Sequence, residues 1–373
     1  MSPDAGAEDG AAMAAATRSV DGGTCHVFHA FEAGESIDVE RAAAIVAGST
    51  RPGLEPRDGQ RMPADFRPRP VSFTLECPSL ECGGFRTTPR AVVTAFDFGA
   101  VSVRMDLPIA GDAAAMPALA RALDGHPGLR SAAKLAAERA VVAMGQAVIR
   151  PAIAGDPEDY VVMAMPPLAG AGTRHGLPDP LVARILRAEE GSLAPEVVAD
   201  AVSAAVRWGE LDLAMVDWNG AIVVDRSPED ALAILEFANA ELVEMRWLDD
   251  RLDAALDEAF QAAAASVRGT RLLAVRTARH SRRIAQLRID AAALYEAVDN
   301  ALKLFGDQWV ARLHQAATRR MHVDDYERSV LRKLAALESA YGTVRDRQVQ
   351  VRAEILEWII ILLIAFEVVR SFF

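Results

Sequence analysis

Cys25, His26 and His29, with Cys77 and Cys82, are the residue types that ligate zinc. Neither cysteine pair has the two-residue spacing of a structural zinc site. On an extended strand, His26 and His29 point to opposite faces. No metal is expected from this set. Asp217, in Val216-Asp217-Trp218 ahead of Asn219-Gly220, stands where a catalytic carboxylate could stand. An acid there also serves as an acceptor for turn amides. Gly170, Gly172 and Gly176 follow the apolar run at 160–165 in the manner of a dinucleotide loop. Their last spacing is one residue too long, and Pro178 and Pro180 stand where a phosphate-binding helix would begin, so the segment reads as a plain loop. No Ser/His/Asp order and no nucleophile elbow stands out. The expectation is a non-enzymatic protein with no catalytic residue, no cofactor and no small-molecule ligand. The alternatives are an enzyme with a pocket in the N-terminal α/β domain, around Asp217 or the 166–178 loop, and an RNA- or ribosome-associated factor acting through the arginine-rich face of 268–288.

A second kind of chemistry is recognition of anions. Residues 268–288 carry arginines, among them Arg276, Arg279, Arg282 and Arg283, and no acid. Such a face could meet anionic lipid or RNA, but no aromatic side chains interleave it for base stacking. Residues 236–258 are correspondingly acidic, and pairing between the two segments is favoured. Folding back near Gly269 would lay Asp253 by Arg283 and Asp249 by Arg288. Exposed pairs of this kind contribute little each but fix orientation.

The third feature is the tail. From Trp358 through Ile359, Ile360, Ile361, Leu362, Leu363 and Ile364 to Phe366 it is apolar on every face of a helix, unlike an amphipathic surface helix. A full span needs roughly 20 apolar residues, and Glu357, Glu367 and Arg370 bracket a shorter run. The reading is a membrane-associated tail, spanning or dipping in, with Glu367 and Arg370 as candidates for assembly between copies. A core helix in an oligomer and an exposed recognition tail are the competing readings.

The elements that must position these groups divide the chain into four. Residues 1–22 read as a flexible leader, 23–226 as a mixed α/β domain, 227–349 as a coiled-coil-like helical arm and 350–373 as the tail helix, an α+β class overall. β-Branched runs at 71–75, 91–96, 100–107 and 160–165 predict strands, and 36–47 and 130–149 predict helices. Asn219-Gly220 predicts a two-residue hairpin turn pairing Val216 with Val223 and covered on both faces. Ser227-Pro228-Glu229-Asp230 predicts a helix start.

Composition narrows the class. The chain of 373 residues carries a net charge of -12, which argues against sequence-independent nucleic-acid binding. Three cysteines suit a reducing compartment. The start shows neither a secretory signal nor a basic presequence. The bulk of the chain is expected in the cytoplasm, tethered to a membrane.

Four blocks add a resemblance: Phe96-Asp97-Phe98-Gly99, the stretch from Leu235 to Asp249, Phe305 to Arg312, and Leu356 to Glu367. In this order they resemble the domain-of-unknown-function family named for the yeast required-for-meiotic-nuclear-division proteins, which includes a mitochondrial homologue in animals. The resemblance implies an α/β N-terminal portion, a helical C-terminal portion, membrane association through the tail and self-assembly. It implies no catalytic residues. The mitochondrial member is linked to support of translation at the inner membrane, a role that the lack of a transit peptide here does not favour; the chain reads as a bacterial-type member.

Overall fold

The computed structural model describes residues 19–50, 69–167, 177–207, 209, 212–267 and 308–372. The chain falls into two compact units, one within 1–245 and 294–324, the other within 246–293 and 325–373.

Among the described residues the first unit carries twelve strands: β1 (Ser19–Glu32), β2 (Ser36–Ile37), β3 (Val71–Glu76), β4 (Glu81–Cys82), β5 (Phe85–Arg86), β6 (Arg90–Ala95), β7 (Ala100–Asp112), β8 (Val148–Ile149), β9 (Ala154–Met165), β10 (Ala205–Val206), β11 (Leu213–Val216) and β12 (Gly220–Val224). Eight of them form one sheet in the order β10-β11-β12-β9-β1-β7-β6-β3. Neighbours are antiparallel except β12, which runs parallel to β9. The mixed α/β class of this portion is as expected, and strands stand at all four expected runs. The long central β1 begins at Ser19, inside the segment that reads as a leader.

Period-two alternation gives this sheet two unlike faces. One face presents Cys25, Val27 and Phe31 of β1 and Val101, Val103, Met105 and Leu107 of β7 to a single apolar core. That core is closed by α1 (Val39–Ile45), α2 (Met116–Leu123), α3 (Pro127–Met144) and α4 (Asp179–Leu186), beside the short α5 (Pro195–Ala201). In α3 the buried positions Leu129, Ala133, Ala136, Ala137, Ala140 and Met144 form one helical stripe. Its small alanines let the helix lie close to β1, β6 and β7. The opposite face carries His26, Phe28 and Ala30 of β1, then Ser102, Arg104 and Asp106 of β7, Thr94 of β6 and Ser72 of β3. Registry places His26 beside Asp106, Thr94 beside Ser102 and Ser72 beside Thr94. A polar band thus crosses four strands.

The β11–β12 hairpin corrects the predicted register by two residues. Val216 pairs with Ala221 and Leu213 with Val224, and the Asp217 amide donates to the Gly220 carbonyl. The central pair is therefore Trp218-Asn219. Gly220 serves packing: a Cβ there would lie 2.6 Å from the Val161 carbonyl oxygen of the parallel neighbour. Both faces of the hairpin are buried, as expected.

Three further helices are α6 (Glu229–Val267), α7 (Gln308–Arg320) and α8 (Val323–Phe372). α6 begins one residue beyond Pro228, whose carbonyl accepts from Leu232, while Asp225 caps the Ser227 amide. In the second unit Leu248, Leu252, Ala255 and Ala259 are buried at near-heptad spacing along α6. The acids Asp249 and Asp253 meet Lys333 of α8, at 2.8 and 2.6 Å, where the sequence suggested arginines of 268–288. Those arginines, with the return arm of the predicted hairpin, lie outside the described residues. The tail is no separate element: α8 runs unbroken from Val323 to Phe372. Among the described residues no helix is long and apolar enough to cross a membrane, so the spanning form of the tail finds no support.

Candidate functional site

The polar band on the sheet's outer face floors a cavity of about 490 Å³ in the first unit. Thr24, His26, Ser72, Thr94, Phe96 and Arg104 line it from the strands, and Asp225, Arg226, Glu229, Glu236 and Phe237 from the start of α6. Its volume falls in the range of small-molecule pockets, and its polar groups converge. His26 Nδ1 lies 2.7 Å from Asp106 Oδ1, and Arg104 Nε lies 3.1 Å from the same oxygen. Burial pushes the Asp106 carboxyl up, but the hydrogen bond to His26 and the charge of Arg104 outweigh it and hold it below the usual range. Glu236 of α6 interacts with the same Arg104. Its burial raises its pKa, against the pull of Arg104 and the hydroxyls of Ser102 and Thr94. An oriented imidazole beside an ionised acid is the arrangement of a general base or a ligand acceptor.

The first half of α6 holds this cavity's wall by an aromatic clasp. Phe96 and Phe98 stack at 5.3 Å, and Phe237 meets both edge-on at 5.9 and 6.0 Å. The turn that presents Phe96 and Phe98 closes at Gly99, whose φ is +110°. A Cβ there would strike the Gly34 carbonyl at 2.1 Å. Two blocks of the family resemblance, Phe96–Gly99 and the Leu235 stretch, therefore meet in space. Deeper along α6, Glu241 Oε2 lies 3.0 Å from His314 Nε2 of α7, both side chains about 5% exposed or less.

Asp217 is not a free carboxylate. Its side chain is buried, with Arg187 Nε 2.5 Å from Oδ2 and Arg320 Nε 3.9 Å from Oδ1. Its Oδ1 also accepts from the Trp218 amide at 2.9 Å. Tyr160 donates its hydroxyl to the Asp217 carbonyl at 3.0 Å. Burial raises the Asp217 carboxyl, opposed by the Trp218 amide and then the two arginines. Above it opens a second pocket of about 520 Å³, lined by Arg187, Asp200, Trp218, Arg319, Arg320 and His322, among others.

The expected membrane-contacting residues are placed as follows. Trp358, Ile359, Ile360, Ile361, Leu362, Leu363 and Ile364 are each between 47% and 65% exposed, on every side of α8. The side chains of Phe366, Glu367 and Arg370 lie outside those described, as do Arg276, Arg279, Arg282 and Arg283 and the loop 168–176. Among the described residues no group of three metal-ligating side chains converges. His26 and His29 do lie on opposite faces of β1, and the three cysteines are free and buried. Arg104, Asp106 and Glu236 are site residues that no sequence motif singles out. The signal was present in β7, where Ser102, Arg104 and Asp106 recur at every second position of an apolar strand.

The family model described as "Uncharacterized protein MJ0711, N-terminal domain" matches residues 22–231. The uncharacterized protein MJ0711 of Methanocaldococcus jannaschii is 20% identical over 193 residues, which make up 51% of this chain and 58% of that protein. No solved structure matches. The matched range begins in β1 and ends at the start of α6, so it coincides with the sheet domain and both pockets' floors.

Proposed function

We propose that this chain, which belongs to the MJ0711 N-terminal domain family, is a non-enzymatic scaffold held at a membrane surface by the end of α8 and self-assembling there. The observation that carries the reading is the all-round exposure of Trp358 to Ile364 at the far end of that helix. Soluble proteins leave such contiguous apolar surface open where a partner or a membrane covers it. The run is far shorter than the roughly 20 residues of a span, so the end of α8 dips into one leaflet, with Trp358 at the interface. Glu357 and Glu367 are ten residues apart, about 15 Å along a helix. They cannot both reach headgroups across a core roughly 30 Å thick, which also favours partial entry. Glu367 then sits among apolar neighbours, and Arg370 of a second copy is its natural partner. The resemblance to the meiotic-nuclear-division family points the same way. Fractionation of cells expressing the full chain and a chain ending at Arg352 tests the tether; equal solubility without detergent refutes it. Cross-linking in membranes tests the assembly role, where Glu367→Leu lowers the oligomer yield without altering fractionation.

A second reading rests on the 490 Å³ cavity with its oriented His26–Asp106 pair. In that reading the sheet domain binds a polar small molecule and acts on it with His26 as base. Retention of a metabolite by the full chain, lost in Glu236→Gln and His26→Asn, would favour it over the scaffold.

A further inference from the structure

The pocket above Asp217 has more positive charge than its fold requires. One arginine is enough to compensate a buried aspartate. Here Arg187 and Arg320 both reach Asp217. Arg319, exposed, has no side-chain ion pair among the described residues and faces the same pocket as His322. Among the described lining residues Asp200 alone adds an acid to Asp217, and it stands at the rim, more than half exposed. Its carboxylate accepts from Arg187 Nη2 at 2.5 Å and from Arg320 Nη1 at 3.2 Å. Asp200 thus occupies the place an external anion would take, bound to two guanidiniums aligned from behind by Asp217. Planar guanidiniums held in this way are suited to phosphate oxygens.

Trp218, which lines the same pocket, is 53% exposed. Its turn is fixed by the Asp217 bond to its amide and by the Asn219 amide group on Asp124 at 3.2 Å. A rigidly presented indole at the mouth of a cationic pocket is a stacking platform for a base.

We propose that this pocket binds a mononucleotide, its phosphate on Arg319, Arg320 and Arg187 and its base on Trp218, with Asp200 as the resident competitor that the phosphate displaces. The pocket's volume of about 520 Å³ suits one nucleotide. The net charge of -12 opposes a polynucleotide lying across the surface. The site is independent of the membrane reading and of the cavity over His26.

Calorimetric titration of the full chain with AMP, adenosine and inorganic phosphate tests the proposal, with folding of each variant checked by circular dichroism. AMP is expected to bind at least tenfold tighter than either fragment. Arg319→Ala and Trp218→Ala should each weaken AMP about tenfold, the loss of one charge-assisted bond or one stacked base. Asp200→Asn should tighten it. No heat with AMP, binding no tighter than phosphate alone, indifference to both Arg319→Ala and Trp218→Ala, or weaker binding by Asp200→Asn would each overturn the proposal. A single-stranded oligonucleotide that binds where AMP does not would likewise overturn it.

Discussion

The first half of α6 and the far end of α8 invert the usual distribution of side chains in opposite ways. α6 buries Glu236, Glu241 and Glu244, whereas α8 exposes Trp358 to Ile364. Buried charge persists where the fold supplies partners, because an uncompensated ion in the interior costs several kcal/mol. For α6 the partners are internal: Arg104 and two hydroxyls for Glu236, His314 for Glu241. Among the described residues nothing covers Trp358 to Ile364 at the far end of α8, and the tether proposed above supplies that cover from outside the chain.

Breaking the internal compensation should give the largest effect. Glu241→Ala leaves His314 buried without its acid, and the expected loss is about 3–5 kcal/mol in urea denaturation. The double variant Glu241→Leu/His314→Phe should recover most of it, since a well-packed apolar pair replaces the polar one. If the single and double variants are equally destabilised, the pair is not the compensating unit.

His29 sharpens the contrast, being a buried imidazole on the apolar face. Burial lowers its pKa to about 4, assisted by Arg130 and opposed by Asp159. In the unfolded chain it titrates near 6.5. Between those values the unfolded state holds a proton that the native state refuses, so stability falls as pH drops from 6.5 towards 4. The expected loss is on the order of 3 kcal/mol. Replacement by Phe should flatten that limb of the stability–pH curve; an unchanged slope would assign it to other groups.

Gly220→Ala should cost about 2 kcal/mol, because the Cβ meets the Val161 carbonyl and overpacking strains the parallel pair. A neutral effect would restore the turn explanation for this glycine. The smallest effect belongs to Asp253→Asn, about 1 kcal/mol or less in urea denaturation, since Asp253 is 58% exposed, water competes for its ion pair and Lys333 keeps Asp249.

These positions also mark what the sequence made legible. Runs of β-branched residues located β3, β6, β7 and β9, because alternation over a long strand leaves little ambiguity. The helix start after Ser227 and the continuous apolar run of the tail were equally plain. The hairpin register was not: Asn219-Gly220 satisfies the type I′ preference, but the close approach of Val161 demands the same glycine for another reason. Local signals could not separate those two causes. The acids of α6 read as partners for the arginines of 268–288, because the strand residues that compensate Glu236, Arg104 and Thr94, lie more than a hundred positions away in the chain. The arginines around Asp217 come from the end of α4 (Arg187) and from α7 (Arg319 and Arg320), and only folding assembles them.

The membrane claim is tested most directly by flotation of the full-length protein with vesicles of neutral and anionic phospholipid, against the variant Ile361→Asp/Leu362→Asp. The substitutions keep the helix length and charge two exposed faces, at a cost of a few kcal/mol each within hydrocarbon. The unaltered chain is expected to float with both vesicle types and the variant to stay at the bottom of the gradient. Equal flotation of the two proteins, or none by either, would contradict it.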